Sequence, residues 1–419
     1  MARPAPIRLA GTIAATAMCV AAATEVLAQQ QDSRVLNNQL QLGDVISGVT
    51  LNVEDAAGEV AVDNAAQGNS LSGSVQNGSL DLSSSQTMNG NTRATTTVEA
   101  TGDTEGPLNL QTQARGNYLA AGAYGADLTI EASQVVGPSE VTASAAQTNE
   151  AARLLGGTSM STTAIGNTTS IGGTGARVEG LVSQRSDAGV RSESFVVSQY
   201  IPATGEVIAT SIGNTIAANS TAASSQALTL RQRQAGDAVT ANVSANSGNA
   251  WDLAGRARAT ANQSVLYNQG GSVVVTADQS NLSQVRASTV VTAYDYGAAT
   301  ANAAGTGNEV SIGNNDRYLE IDNSQVNSGG VEVTSEFAGA YGYDVRVGVE
   351  ATGNAVTGYA CSECDGQMVI SNDQTNSGNV SARATTRITG SGRSVVTSAT
   401  ATGNSGTFYV SGSGNSSGN

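Results

Sequence analysis

Two amides recur along this chain at one spacing, and that recurrence constrains the fold more than any other feature. Glutamine stands at Gln39, Gln86, Gln134, Gln184, Gln234, Gln279, Gln325 and Gln374, in gaps of 45 to 50 residues. Asparagine, usually after glycine, stands at Asn69, Asn117, Asn167, Asn214, Asn262, Asn308, Asn354 and Asn404, in gaps of 46 to 50. From each asparagine to the next glutamine is 17 residues five times and 20 residues twice. Two series that keep one period define a unit of about 48 residues, the signature of an array in which each unit stacks on the next.

Each unit has the same internal order. A short strand follows the Gly-Asn pair, as in Asn354-Ala355-Val356, and a polar turn leads to a pair of apolar residues two apart before the glutamine. Examples of that pair are Leu80 and Leu82, Leu128 and Ile130, Leu319 and Ile321, and Met368 and Ile370. The unit at Gln184 is looser, and the marker at Gln234 also reads as Gln232. After the glutamine a small polar turn opens a longer stretch with alternating faces. Val380, Ala382, Ala384, Thr386 and Ile388 share one side of it, and Ser381, Arg383, Thr385 and Arg387 the other. Period-two alternation of this length predicts strands with one buried face. Gly-rich turns such as Thr389–Gly392 separate the long strands, and no helical periodicity follows the first thirty residues.

The expected fold is therefore all-β: a repetitive, parallel β-helix-like solenoid of about eight units. A strand lined with Val, Ala or Thr buries too little to persist alone. Stacked on copies of itself it gains main-chain hydrogen bonds above and below and a continuous narrow core. At about 4.8 Å per stacked strand, one coil per unit gives a stack of roughly 40 Å. Forty-eight residues is long for one coil, so projecting hairpin arms and two coils per unit both remain open. The marker amides suit either of two roles. In register they form ladders, each amide donating to the carbonyl of the next copy and offsetting its own desolvation. Otherwise they are solvent-facing turn residues, a reading that fits the Gly-Asn pairs well because asparagine tolerates left-handed turns.

Composition fits thin β-structure. Aromatics are 4% of the chain, charged residues 13%, and there are 49 glycines, 5 prolines and no lysine or histidine. No large conventional core is available, yet sparse charge and abundant Val, Ala, Ile and Thr argue against a charged disordered chain. The first residues read as an export leader. Arg3 and Arg8 precede the apolar run Leu9–Ala23, and Val26-Leu27-Ala28 forms a cleavage site before Gln29. The organisation expected is a cleaved signal peptide at 1–28 and an entry segment with the first glutamine-marked unit at 29–48. Solenoid repeats follow at 49–403, and a truncated last unit with a Gly/Ser/Asn-rich tail at 404–419. Without the leader, 17 arginines face 33 acids, a net charge of −16. That charge argues against nucleic acid and anionic membrane as partners.

Few residues suggest chemistry. Cys361 and Cys364 form the one CxxC. No second cysteine pair or histidine completes a zinc site, so a small structural disulfide is expected. Acidic turns at 314–317 and at 371–374, with Asp373, carry oxygen donors suited to weak calcium binding but read as solvated turns. No cofactor is expected. A polysaccharide-cleaving β-helix enzyme would need clustered carboxylates, and no unit stands out in acid content.

The phrases Ala-Thr-Gly-Asn at 351–354 and 401–404, and Asn-Ser-Gly-x-Val at 327–331 and 376–380, carry a resemblance over the whole exported chain. With the leader and the 48-residue units, the chain resembles the holdfast anchor proteins D of stalked alphaproteobacteria. The resemblance implies a non-enzymatic protein at the cell surface or outer membrane that retains an adhesive polysaccharide, the holdfast. It further implies work alongside a curlin-like subunit and a secretion lipoprotein. The stacked fold itself, with exposed end coils, suits polymerisation into a homo-oligomer or co-assembly with such partners. The other readings are a fibrous adhesin or curli-like amyloid subunit without a holdfast role, and a polysaccharide lyase or hydrolase.

Overall fold

The computed structural model describes residues 32–316, 318–361 and 366–410. The leader read over 1–28 lies outside the described residues. Every strand pairing among the described residues is parallel and joins one repeat to the next, about 48 residues on. One repeat is one coil, and eight coils stack in the order of the chain. With strands about 4.8 Å apart the stack rises on the order of 35–40 Å.

Each coil opens with a ten-residue glutamine strand, of which Ser79–Met88, Asp127–Val136 and Ser272–Asn281 are examples. A shorter strand continues the same side, as in Thr92–Ala100. The chain then turns and returns along a 17-residue strand such as Leu108–Tyr124. From the fourth coil the last two segments fuse into bent strands of 30 to 33 residues, Gly189–Thr221, Ala238–Asn268, Gln284–Asn314 and Val331–Ala360. Of the alternatives left open, neither hairpin arms nor two coils per unit holds: the long strand pairs are sides of the coil, since their partners lie in the coils above and below. Residues 404–410, expected to open a truncated unit, complete Ser394–Val410, which pairs with Asp344–Ala360 as the long strand of the eighth coil.

Two narrow cores result. One lies between the shorter strands and the first half of the long strands, with Ala94, Val98, Leu108, Leu110, Val141 and Ala143 among its members. The other lies between the glutamine strands and the second half of the long strands, around Leu80, Leu82, Leu119, Leu128 and Ile130. Alternation places every second residue inside, as in the repeating buried and half-buried pattern of Leu108–Tyr124. Hydroxyls inside the first core satisfy one another, Thr112 Oγ1 to Thr96 Oγ1 at 2.7 Å and Thr162 Oγ1 to Ser194 Oγ at 2.9 Å.

The turn from the long strand to the next glutamine strand needs a left-handed residue, and Asn77, Gly125, Gly175 and Ala222 supply it at φ 53° to 58°. The looser unit at Gln184 has a structural counterpart. Gly180 takes the place of an inner apolar residue, pairs with Ile130 and Leu228, and adopts φ 137°. A β-carbon there would run into the Ile130 carbonyl.

Candidate functional site

Between the two cores run two columns of amides. The asparagine column is continuous through all eight coils. Each Nδ2 donates to Oδ1 of the next coil at 2.7–2.8 Å, from Asn69 through Asn117, Asn167, Asn214, Asn262, Asn308 and Asn354 to Asn404. The second hydrogen of each goes to a main-chain carbonyl of the opposing glutamine strand, for example Asn117 to Val135 O and Asn262 to Ser280 O, both at 2.9 Å.

The glutamine column runs the opposite way. Gln86 Nε2 donates back to Gln39 Oε1 at 2.8 Å, and the same bond links Gln134, Gln184, Gln232, Gln279, Gln325 and Gln374 in turn at 2.7–2.9 Å. Here too the second hydrogen crosses to the opposing strand, to the residue just after the marker asparagine: Gln86 to Tyr118 O, Gln134 to Thr168 O and Gln279 to Glu309 O. The two columns therefore stitch the sheets together as well as the coils. Their opposed amide dipoles cancel along the stack, where a single column would build a field. Inner members such as Gln86, Gln279, Asn117 and Asn262 have no exposed surface. In so dry a place an unpaired amide would cost several kcal/mol, on the order of 2–7.

Gln234 is not a member of the glutamine column; Gln232 is, pairing with Gln184 and Gln279. The correction follows from the two-residue alternation, because the inner face offers both positions. Gln234 lies one inner position further, in a column that changes from Met88 and Val136 through Ser186 to Asn281, Asn327 and Asn376. Those last three form a short ladder of their own, at 2.7 and 2.6 Å. Short ladders leave an orphan where the residue type changes. Asn268 Oδ1 and Asn323 Oδ1 are buried without a partner among the described residues.

The glycine before the marker asparagines of the inner coils has a steric reason, which Gly403 in the last coil lacks. A β-carbon on Gly116 would stand 2.5 Å from Gly166 O of the next coil. Ala261 is the exception in that column.

Cys361 is buried, disulfide-bonded, and donates its main-chain N–H to Asn314 O at 3.0 Å. Cys364 lies outside the described residues. In the turn considered for calcium, Asn314 is buried and bonded to the Gly271 carbonyl, while Asp316 accepts the Gly271 N–H at 2.6 Å. Among the described residues no three His, Cys, Asp or Glu side chains converge as metal ligands.

A second feature escaped the sequence reading. At the bend where the shorter segment passes into the long one, coils 4 to 7 carry Tyr200, Trp251, Tyr294, Tyr296, Tyr341 and Tyr343. All but Tyr296 are well exposed. Their roughly one-repeat spacing was the available signal. Trp251 meets Tyr343 edge-on with ring centres 6.3 Å apart, and Tyr294 meets Tyr341 likewise at 5.8 Å. Tyr296 lies beneath, edge-on to Phe337 at 5.0 Å, and burial pushes its phenol pKa up. Asp344 and Arg393 pair at the edge of this surface, with the guanidinium 5.3 Å from the Tyr343 ring centre. The hydrogen bond from Arg393 holds the Asp344 carboxyl below the usual carboxylate range.

A parallel β-solenoid stapled through its interior by amide columns, with a cluster of exposed aromatic residues on one bend, defines a repetitive structural protein. The family Holdfast attachment protein D matches residues 54–330, about two thirds of the chain, and the chain belongs to that family. No curated protein and no solved structure matches it. The family assigns the chain a role in holdfast attachment, and with it a structural part at the cell surface or envelope.

Proposed function

We propose that this protein is a non-enzymatic surface scaffold that anchors an adhesive polysaccharide, the holdfast, to the cell envelope. The observation that carries the reading is the family match, which extends from the first coil into the seventh. The amide-stapled stack supports it. An attachment protein must transmit load between adhesive and cell without unfolding, and coils closed by main-chain and side-chain ladders distribute that load over many bonds. Export through the leader at 1–28 delivers the chain to the outer surface. The outer coils offer strand edges to components built on similar units, such as a curlin-like subunit, while a secretion lipoprotein serves its passage. The excess of acid over base keeps it from nucleic acid. Deletion of the gene is expected to leave the adhesive synthesised but shed into the medium, measured as lectin-stained material off the cell and cells lost from a surface under flow. Firm attachment by the deleted strain would remove this function.

A further inference from the structure

We infer that the aromatic bend of coils 4 to 7 is a binding site for a neutral polysaccharide chain running along the solenoid axis. Aromatic residues are scarce here: 1 Trp, 11 Tyr and 3 Phe in 419 residues. Even so, five rings at this one bend face solvent, with Trp251 63% and Tyr294 61% exposed. A chain with so little bulk for its cores gains stability by burying such rings, so leaving them out marks a contact surface. Tyr200, Trp251, Tyr341 and Tyr343 border a hollow of about 470 Å³ lined also by Asn249 and Asp295, and Tyr294 packs edge-on against Tyr341.

The register makes this surface periodic. Tyr200, Asn249, Asp295 and Tyr341 pair in succession through four coils. Ring, amide, carboxylate and ring therefore follow one another at about 4.8 Å per step, close to the advance of one sugar in an extended glycan. A pyranose ring has an apolar C–H face and an equatorial rim of hydroxyls, and it needs this alternation of flat apolar surface and hydrogen-bond acceptors. The surface is also preformed. The Trp251 indole lies across Gly297 of the next coil, where a β-carbon would come within 2.9 Å of the ring. The indole then reaches Tyr343 one coil further. Asp252 and Asp295 carry negative charge in and beside the hollow, and the chain's net charge is −15. Anionic polymers and anionic lipid headgroups are repelled, and a neutral glycan is not.

This inference rests on the attachment reading for the source of the glycan, and its test separates the two. Trp251 is the chain's one tryptophan, so its emission reports the bend directly. The purified chain is titrated with cellohexaose, N-acetylchitohexaose, oligoguluronate and polysaccharide shed from holdfast-bearing cells. At least one neutral oligosaccharide and the shed polysaccharide are expected to shift the emission, and oligoguluronate to leave it unchanged. Tyr294→Ala with Tyr341→Ala is expected to weaken binding at least tenfold with an unaltered far-ultraviolet dichroism spectrum. An emission that no neutral glycan moves, equal binding by the double variant, or equal binding of oligoguluronate would overturn the inference. In cells, a Trp251→Ala, Tyr294→Ala, Tyr341→Ala strain that retains its adhesive while the deletion strain sheds it overturns this site and leaves the attachment role standing. Retention by both strains overturns both.

Discussion

Replacing Asn214 by alanine tests whether the amide columns hold the solenoid together. Asn214 has no exposed surface. It donates to Arg233 O at 3.0 Å and to Asn262 Oδ1 at 2.8 Å, and accepts from Asn167 Nδ2 at 2.8 Å. Alanine leaves two acceptors and one donor without partners in a dry interior. Each orphaned group costs about 1–3 kcal/mol, and partial relaxation brings the sum to about 3–6 kcal/mol. Asn404→Ala removes the same residue type from the same column, but Asn404 is exposed and water replaces its bonds. Its cost is expected below about 1 kcal/mol. Because a stacked array opens locally, a single melting midpoint is the wrong readout. Hydrogen exchange followed by mass spectrometry resolves peptides within Gly189–Thr221 and Ala238–Asn268. In Asn214→Ala those peptides are expected to exchange about two to four orders of magnitude faster, while Asn404→Ala changes only the last coil. Equal effects from the two substitutions, or no change at the inner site, would refute the reasoning.

Three further outcomes follow from the geometry. Gln232→Met is expected to cost about 3–6 kcal/mol, and Gln234→Met less, about 1–3 kcal/mol, in denaturant titration. The reason is that Gln234 Oε1 is already unpartnered among the described residues, so the substitution orphans chiefly the Ala188 carbonyl that Gln234 Nε2 reaches at 3.0 Å, and its column already holds Val136 and Met88 two and three coils below. Gly180→Val is expected to cost at least about 3 kcal/mol, because φ 137° is closed to a branched residue and the β-carbon meets the Ile130 carbonyl; circular dichroism against denaturant checks it. Asp344 titrates below an ordinary carboxylate because Arg393 hydrogen-bonds its charged form. Its contribution is therefore complete above the unfolded-state pKa and is lost as pH falls through the lower folded-state value. NMR titration should show this, and Arg393→Ala should raise the Asp344 pKa back toward normal.

Much of the architecture was legible in the residues because a stack repeats its instructions. Two amides at a 48-residue period and two-residue alternation imply parallel coils whatever the details, since no single coil buries enough to stand alone. The Gln232 and Gln234 ambiguity shows where that legibility ends: both face inward, and alternation does not say which meets the column. The sense of each ladder, asparagine donating forward and glutamine backward, goes with bonds to carbonyls of the opposing strands, and so with how two distant segments face each other. The aromatic bend was hidden for a related reason. Tyr200, Trp251, Tyr294 and Tyr341 lie some fifty residues apart along the chain and become neighbours only when coils settle one strand spacing apart. The linear order by itself determined that the protein must stack and which residues recur. Tertiary structure alone decided what those recurrences face, because side-chain direction comes from the register and bend of neighbouring coils, and no local propensity encodes either.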